Sequence, residues 1–178
     1  MAIKNTLHQL LTTVALCSCL TAWSTETAPN RSAAQENQTT EATTFLTRIQ
    51  EISDRASNLV TKAGNLIGIR YKYGGNTPEQ GLDCSGLVRL VFKDVLDVQL
   101  PRTALEISRA SEKIEVSELQ PGDLVFYNTL KRGFSHVGIY MGDNKFIHSP
   151  SSGGRVRVEN MEVTYWKKRF NGARRITY

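Results

Sequence analysis

The sequence predicts an α+β fold in which N-terminal helices pack on a central antiparallel sheet. Two observations support this prediction. Apolar residues recur at helical spacing in the first half of the chain, whereas short β-rich segments separated by turn signals fill much of the second half. The chain has 178 residues, which is enough for one hydrophobic core but too few for two once a leader and a tail are subtracted. We therefore expect a single domain over residues 45–178.

Residues 1–24 are predicted to form an export signal, because the mostly apolar stretch 10–23 is too short to span a bilayer stably. Ordinary cleavage would follow Ser24. The run 16–19 also resembles a bacterial lipoprotein signal, which would be cleaved before Cys19 and leave that cysteine acylated. Both alternatives place the protein outside the cytoplasm, in the periplasm or cell envelope, and it would contact a membrane only through such a lipid anchor.

Residues 25–44 are polar and nearly free of large apolar side chains, so we expect a disordered tether. An amphipathic helix that packs on the rest of the domain is predicted next. Its apolar residues follow helical spacing: Phe45, Ile49, Ile52, Ala56, Leu59, Val60, Ala63 and Ile67.

A second helix is predicted to begin just after Asp83, a favourable N-cap residue, and this places Cys84 in the first turn. Thr103 and Glu106 have the spacing of a capping box, which predicts a short helix over residues 104–110. Strands follow the turn signal at residues 121–123. We expect them at residues 124–127, 136–141, 145–149, 156–158 and 174–178.

The chain carries 22 Lys and Arg residues against 17 Asp and Glu residues, and this net charge of +5 favours an anionic partner. Nucleic acid is not expected, because the sequence lacks an Arg-rich helix, a zinc-ligand set and an aromatic-basic strand motif. An anionic polymer of the cell envelope or a membrane surface would suit the charge equally well. A hydrophobic content of 40% excludes neither an enzyme nor a binding protein.

Cys84 is the one cysteine outside the leader region, so no disulfide can form within the domain. It is either an inert buried side chain or a thiol kept for its chemistry. A thiol attacks a carbonyl carbon as the thiolate, and a helix N-terminus with a neighbouring imidazolium lowers the thiol pKa. We therefore expect Cys84 to be an activated nucleophile with a low pKa.

His136 and His148 are the only histidines outside the leader, and a predicted hairpin separates them. If residues 142–144 form a three-residue loop, Gly138 pairs with His148 and the two imidazoles share one face of the sheet. A two-residue turn would instead pair Ile139 with His148 and send the imidazoles to opposite faces. The contact between them therefore depends on the parity of the loop.

A zinc site built from Cys84, His136, His148 and Asp123 is an alternative reading of the same residues. Zinc sites usually include ligand pairs that are close in sequence, such as Cys-x-x-Cys, and the chain has none. We therefore expect no metal and no other cofactor.

Five motifs, in this order, resemble those of the NlpC/P60 cysteine peptidases of bacterial cell walls. The resemblance runs from about Ser53 to Tyr178. The motifs are Tyr71-Lys72-Tyr73-Gly74-Gly75, Asp83-Cys84-Ser85-Gly86-Leu87-Val88, Leu100-Pro101-Arg102-Thr103, Leu119-Gln120-Pro121-Gly122-Asp123-Leu124-Val125-Phe126 and Ser135-His136-Val137-Gly138-Ile139-Tyr140.

The resemblance implies a papain-like core in which Cys84 is the nucleophile, His136 is the general base and His148 orients His136. It also suggests that Tyr73 lines the site and helps to stabilise the oxyanion. Ser85 is a candidate for substrate contact, with help at the helix start as the alternative. Arg102 is a candidate partner for a substrate carboxylate, and its alternative role is to hold a surface loop.

The implied function is that of a peptidoglycan endopeptidase, acting as a monomer on stem peptides or on the cross-links between them. A catalytically silent peptidoglycan-binding protein is one alternative, and retention of the three catalytic-type residues argues against it. An amidase or acyl transferase on a related fold is another.

Overall fold

A computed structural model of the protein describes residues 31–130, 133–152 and 154–177. The predicted export signal and Cys19 lie outside these ranges. The helices and strands within them are α1 (Arg31–Gly64), β1 (Asn76–Thr77), β2 (Gly81–Leu82), α2 (Cys84–Leu96), α3 (Ala104–Arg109), β3 (Glu112–Ile114), β4 (Leu124–Tyr127), β5 (His136–Gly142), β6 (Lys145–His148), β7 (Arg157–Asn160), α4 (Thr164–Lys167) and β8 (Phe170–Arg175). A 3₁₀ turn covers Val116–Glu118.

The main sheet has the strand order β3-β8-β4-β5-β6-β7, and every neighbouring pair of strands is antiparallel. Helix α2 packs on one face. Its Leu87, Val88 and Val91 are fully buried in one cluster with Val137 and Ile139 of β5. Burying one such side chain stabilises the fold by about 1.5–3 kcal/mol. The predicted α+β fold is confirmed.

The other face of the sheet carries a second, smaller cluster that the sequence analysis did not predict. We call it the aromatic cluster, and its rings are those of Tyr127, Tyr140, Phe146, Trp166 and Phe170. The Tyr127 ring lies 4.9 Å, between centroids, from both Phe146 and Trp166. Trp166 belongs to the short helix α4, which carries its indole onto this face.

The predicted starts of α2 and α3 are confirmed, and the strands agree less evenly. Asp83 is the N-cap of α2, and Thr103 and Glu106 form the capping box of α3. Strand β4 has the predicted bounds, and β5 and β6 each differ by one residue. Strands β7 and β8 are displaced from their predicted positions, and β1, β2, β3 and α4 were not predicted. Asn and Gly within Phe170–Arg175 disfavour strands locally, so β8 owes its conformation to pairing with β3 and β4.

Helix α1 is longer than expected, because residues 31–44 of the predicted disordered tether are helical. This corrects that part of the prediction, and the helix-favouring Ala and Gln residues of the segment account for it. The packing of the helix is also corrected. Phe45 and Ile52 are 63% and 58% exposed, whereas Leu59 and Ala63 are buried. Only the C-terminal part of the apolar stripe packs on the domain.

The hairpin between β5 and β6 has a two-residue turn, and not the predicted three-residue loop. Asp143 and Asn144 both have positive φ, and Gly142 pairs with Lys145. A β-bulge at Met141 adds one unpaired residue to β5. The two-residue turn and the extra residue of the bulge together set the same strand register, and the same side-chain faces, as a three-residue loop would. Ile139 therefore pairs with Ile147, and the same register sets Gly138 opposite His148.

Candidate active site

The start of helix α2 is fixed by the Asp83 carboxylate. Its Oδ1 accepts a hydrogen bond from the Gly86 N–H at 2.7 Å, and its Oδ2 accepts one from the Gly74 N–H at 2.9 Å. A Cβ at Gly86 would lie 2.1 Å from the Gly75 carbonyl oxygen, so only glycine allows this approach. The loop that carries Tyr73 is thereby held against the first turn of α2, where Cys84 lies.

Arg102 and Ser85 extend this arrangement into one polar network. Arg102 pairs with Asp83 through both terminal nitrogens, and its Nη1 also donates to Ser85 Oγ at 2.7 Å. Ser85 Oγ donates to Asp83 Oδ1 at 3.1 Å. The predicted site residues Ser85 and Arg102 are therefore brought together beside Cys84. Asp83 is the centre of the network, a role that the sequence analysis missed.

His136 and His148 are in direct contact on the sheet. His136 Nε2 and His148 Nδ1 lie 2.7 Å apart, and the two rings are nearly perpendicular at 88°. Both side chains are buried. Because Nε2 of His136 is engaged by His148, Nδ1 is the His136 nitrogen that remains to exchange a proton with another group. The expectation that the two imidazoles meet is confirmed.

The Cys84 thiol lies at the start of α2 and packs against the core cluster that α2 shares with strand β5. The backbone N–H groups of Val137, the residue after His136, and of Ser85 and Cys84 itself favour the thiolate form of the sulfur. The thiol therefore lies close to the backbone of β5, the strand that begins with His136.

Burial raises the pKa of the Cys84 thiol to about 11, and the negative charge of Asp83 adds to the effect. The three backbone N–H groups oppose this rise but do not overcome it. The expectation of a low-pKa thiol is therefore wrong for this state of the site. Burial also lowers the pKa of His136 to about 4. The resting site holds a neutral thiol and a neutral imidazole.

The pKa of His148 is lowered by burial first, then by His136 and by the positive charge of Arg157. Neither imidazole of the pair therefore becomes charged near neutral pH, and the bond between them joins two uncharged rings.

A cleft of about 520 Å³ opens above the thiol. Its polar wall includes Arg102 and Asp83, and its apolar wall includes Leu105 and Phe134. Tyr73 stands at the rim and is 88% exposed. Tyr73 was expected to line the site, and its side chain does so from this exposed position.

A family model for the NlpC/P60 family matches residues 68–175, which is more than half of the chain. The chain belongs to the NlpC/P60 family. The residues that the family model matches include all those that line the cleft.

The NlpC/P60 relatives include Murein DD-endopeptidase MepH of Escherichia coli K12, with 42% identity over 132 residues that cover 72% of this chain and 48% of MepH. Murein DD-endopeptidase MepS/Murein LD-carboxypeptidase of the same strain is 39% identical over 123 residues, covering 69% of this chain and 64% of MepS. A crystal structure of an NlpC/P60 family protein from Bacillus cereus matches with a TM-score of 0.63 at 30% identity, covering 67% of this chain and 39% of that one. The chain thus spans about half of MepH and less than two thirds of MepS.

The alternative zinc set is not assembled in this NlpC/P60 domain. Both carboxylate oxygens of Asp123 accept hydrogen bonds from Arg175, at 2.8 and 2.7 Å, and Oδ2 also accepts one from the Gln120 N–H. Within the described ranges, no group of three or more His, Cys, Asp or Glu side chains is placed to hold a metal ion. Asp123 therefore anchors the turn before β4.

Trp166 is the residue near the site that sequence reasoning missed most clearly. Its ring stacks on His136, with centroids 5.8 Å apart and an angle of 23°, and it stands perpendicular to His148 at 4.9 Å. No periodic pattern surrounds Trp166 in the sequence. The Trp166 side chain is 5% exposed, and its indole packs against the histidine pair.

Proposed function

We propose that this NlpC/P60 protein is a cysteine endopeptidase that hydrolyses amide bonds in peptidoglycan stem peptides or in their cross-links. The observation that carries the proposal is that Cys84, at the start of α2, lies close to the backbone of β5, and that this strand begins with His136, which is hydrogen bonded to His148. The relatives MepH and MepS are murein endopeptidases by name, and this supports the choice of substrate.

In the proposed mechanism, His136 Nδ1 accepts the thiol proton while Cys84 Sγ attacks the carbonyl carbon of the amide. Burial lowers the pKa of His136, so its ring is uncharged at neutral pH and can take up a proton, although the same shift makes it a weaker base. The imidazolium then gives its proton to the leaving amine. Water releases the acyl group from the sulfur, again with His136 as base.

The negative charge that develops on the substrate's carbonyl oxygen during attack needs hydrogen-bond donors close to the Cys84 sulfur. The Cys84 backbone N–H lies in the first turn of α2, where helix N–H groups have no partner within the helix. We propose that this N–H binds the oxyanion and that Tyr73 assists from the rim. Such donors typically contribute about 2.7–4 kcal/mol of transition-state stabilisation.

Ser85 and Arg102 are proposed to form the polar wall that orients the substrate. Arg102 shares its charge with Asp83, so the network presents a fixed set of donors and acceptors rather than an isolated cation. The wall then orients a polar peptide by hydrogen bonds, while Leu105 and Phe134 contact its apolar parts.

We further propose that the protein is exported by residues 1–24, with acylation of Cys19 as the route to membrane attachment, and that it acts in the periplasm or cell envelope as a monomer. No helix in the described part of the chain has both the length and the apolar character needed to cross a membrane. We propose no cofactor and no nucleic-acid partner.

Digestion of purified peptidoglycan tests the proposed function. Wild-type protein and Cys84→Ala would be incubated with sacculi, and the released fragments would be identified by mass spectrometry. An endopeptidase exposes a new amine within a stem peptide or cross-link, whereas an amidase releases whole stems from the sugar. Sacculi that wild type binds but leaves uncut would favour the silent-binder alternative. Cys84→Ala keeps the histidine pair and serves as the folded, inactive control.

A further inference from the structure

One ring nitrogen of His148, Nε2, has no role in the proposed mechanism. Nδ1 is bonded to His136 Nε2, while Nε2 is fully buried and no polar atom of the described residues lies within hydrogen-bond distance of it. A buried ring nitrogen without a polar partner is uncommon, because leaving a donor or acceptor unsatisfied is unfavourable. The surroundings of Nε2 therefore determine which form of the ring is preferred.

Those surroundings are aromatic. The ring of Trp166 stands perpendicular to His148 at a centroid distance of 4.9 Å, and the ring of Phe146 lies at the same distance with a tilt of 44°. An aromatic face carries partial negative charge. Such a face attracts an N–H group and repels a nitrogen lone pair, so contact of the buried Nε2 with either ring face would favour a proton on that nitrogen.

The position of that proton determines the position of every other proton in the pair. A neutral imidazole carries one N–H, so a proton on His148 Nε2 leaves Nδ1 as an acceptor. His136 must then donate from its own Nε2, and its Nδ1 is left without a proton. In the opposite arrangement, His148 Nδ1 donates to His136 Nε2, and His136 Nδ1 carries a proton that prevents it from accepting one from Cys84.

We propose that Trp166 is a positioning residue that selects the tautomer of the histidine pair in which His136 Nδ1 is free to act as a base. The proposal rests on the proposed function only in giving His136 the role of base, because the location of the protons can be measured without substrate. Trp166 also stacks on His136, so one side chain contacts both rings of the pair.

The charged neighbour of the pair does not oppose this selection. Arg157 is the cross-strand partner of His148 and hydrogen bonds to Glu159 through Nε at 2.7 Å. Its positive charge disfavours a charged His148, but it offers no acceptor to either ring nitrogen. The choice between the two neutral tautomers is therefore left to the aromatic rings.

Nuclear magnetic resonance of protein labelled with ¹⁵N in histidine tests the proposal, because protonated and bare ring nitrogens have well-separated shifts. The full chain would be measured as wild type, Trp166→Met and Trp166→Phe. Tyr127→Phe is the matched control. It removes a buried hydroxyl that has no partner among the described residues, and it keeps the ring that contacts Trp166.

We expect wild type, Trp166→Phe and Tyr127→Phe to carry the proton on His148 Nε2, in about tenfold excess or more over the alternative. Trp166→Met should lose this preference, and its kcat should fall by about tenfold with little change in KM, because Trp166 does not line the cleft. A proton on His148 Nδ1 in wild type overturns the proposal, even if Trp166→Met does not fold. An unchanged tautomer in folded Trp166→Met overturns it as well. Inactive wild type with the expected tautomer contradicts the proposed function and leaves the tautomer selection intact.

Discussion

Replacing Asp83 with asparagine should separate two effects of this carboxylate, one on the stability of the fold and one on the ionisation of the thiol. The carboxylate accepts hydrogen bonds from Arg102, from Ser85 Oγ and from the backbone N–H groups of Gly74 and Gly86. Asparagine keeps one oxygen to cap helix α2. It has no negative charge, however, and it directs an NH₂ group at donors that need an acceptor.

We expect Asp83→Asn to lower the free energy of unfolding by about 2–4 kcal/mol. The buried position of Asp83 favours a large loss, but the Arg102 side chain is 36% exposed, and solvent therefore screens part of the ion pair. Ser85→Ala is the matched control, since it removes one hydrogen bond to the same carboxylate and leaves the charge. Its loss should be about 1 kcal/mol. Urea unfolding followed by circular dichroism measures both.

The same substitution should make the thiol easier to ionise, because the charge of Asp83 contributes to the raised pKa of Cys84. Removing that charge favours the thiolate. The reaction is run at pH 8 and at a temperature well below the unfolding midpoint of each variant. Iodoacetamide should then alkylate Cys84 in Asp83→Asn on the order of tenfold faster than in wild type. Ser85→Ala should react at nearly the wild-type rate. An unchanged or slower rate in folded Asp83→Asn would refute the reasoning.

Three further variants and one change of pH test other parts of the structure. Gly138→Ala should lower the free energy of unfolding by about 1–3 kcal/mol and reduce turnover, because its Cβ would lie 2.7 Å from a phenylalanine ring carbon and 2.8 Å from a backbone carbonyl oxygen of β6. Gly64→Ala meets nothing within 4 Å and should be neutral or stabilising in the same urea titration. The free energy of unfolding should fall by at least about 3 kcal/mol between pH 6.5 and pH 4, since His136 takes up a proton in this window when unfolded but not when folded. His148, whose pKa burial also lowers, adds to this fall. Urea midpoints that stay constant over this range would contradict the burial of a neutral histidine pair. Arg175→Leu should destabilise the protein by about 2–4 kcal/mol, because it leaves the buried Asp123 carboxylate without its cation. It should leave KM unchanged, because this ion pair does not line the cleft. A change in KM without a loss of stability would argue against that structural role.

Local signals were sufficient to predict where the helices near the site begin. Asp83 caps α2 and Thr103 caps α3 through contacts between residues no more than three positions apart. The contact between the histidines was predicted for a partly wrong reason. The turn has two residues, and the β-bulge at Met141 restores the parity that a three-residue loop would have given. Such a bulge depends on pairing across the whole sheet, which local sequence does not reveal.

The features that were missed depend on contacts between distant parts of the chain. Trp166 reaches the histidine pair from helix α4, and Arg102 reaches Asp83 from 19 positions away. The resting pKa of Cys84 was predicted in the wrong direction because helix position and neighbouring donors are visible in the sequence, whereas burial is not. Burial is a property of the assembled fold, and here it is the largest of the causes that set the pKa.

The most direct test of the central claim is the turnover of one defined, cross-linked muropeptide in water enriched in heavy oxygen. Wild type should yield fragments that together contain one added water, with the heavy oxygen in a new carboxyl group of the peptide. Cys84→Ala and His136→Ala should both leave the muropeptide intact while retaining the circular dichroism of the folded protein. Hydrolysis that persists in Cys84→Ala, or a wild-type product whose peptide chain is uncut, would contradict the account.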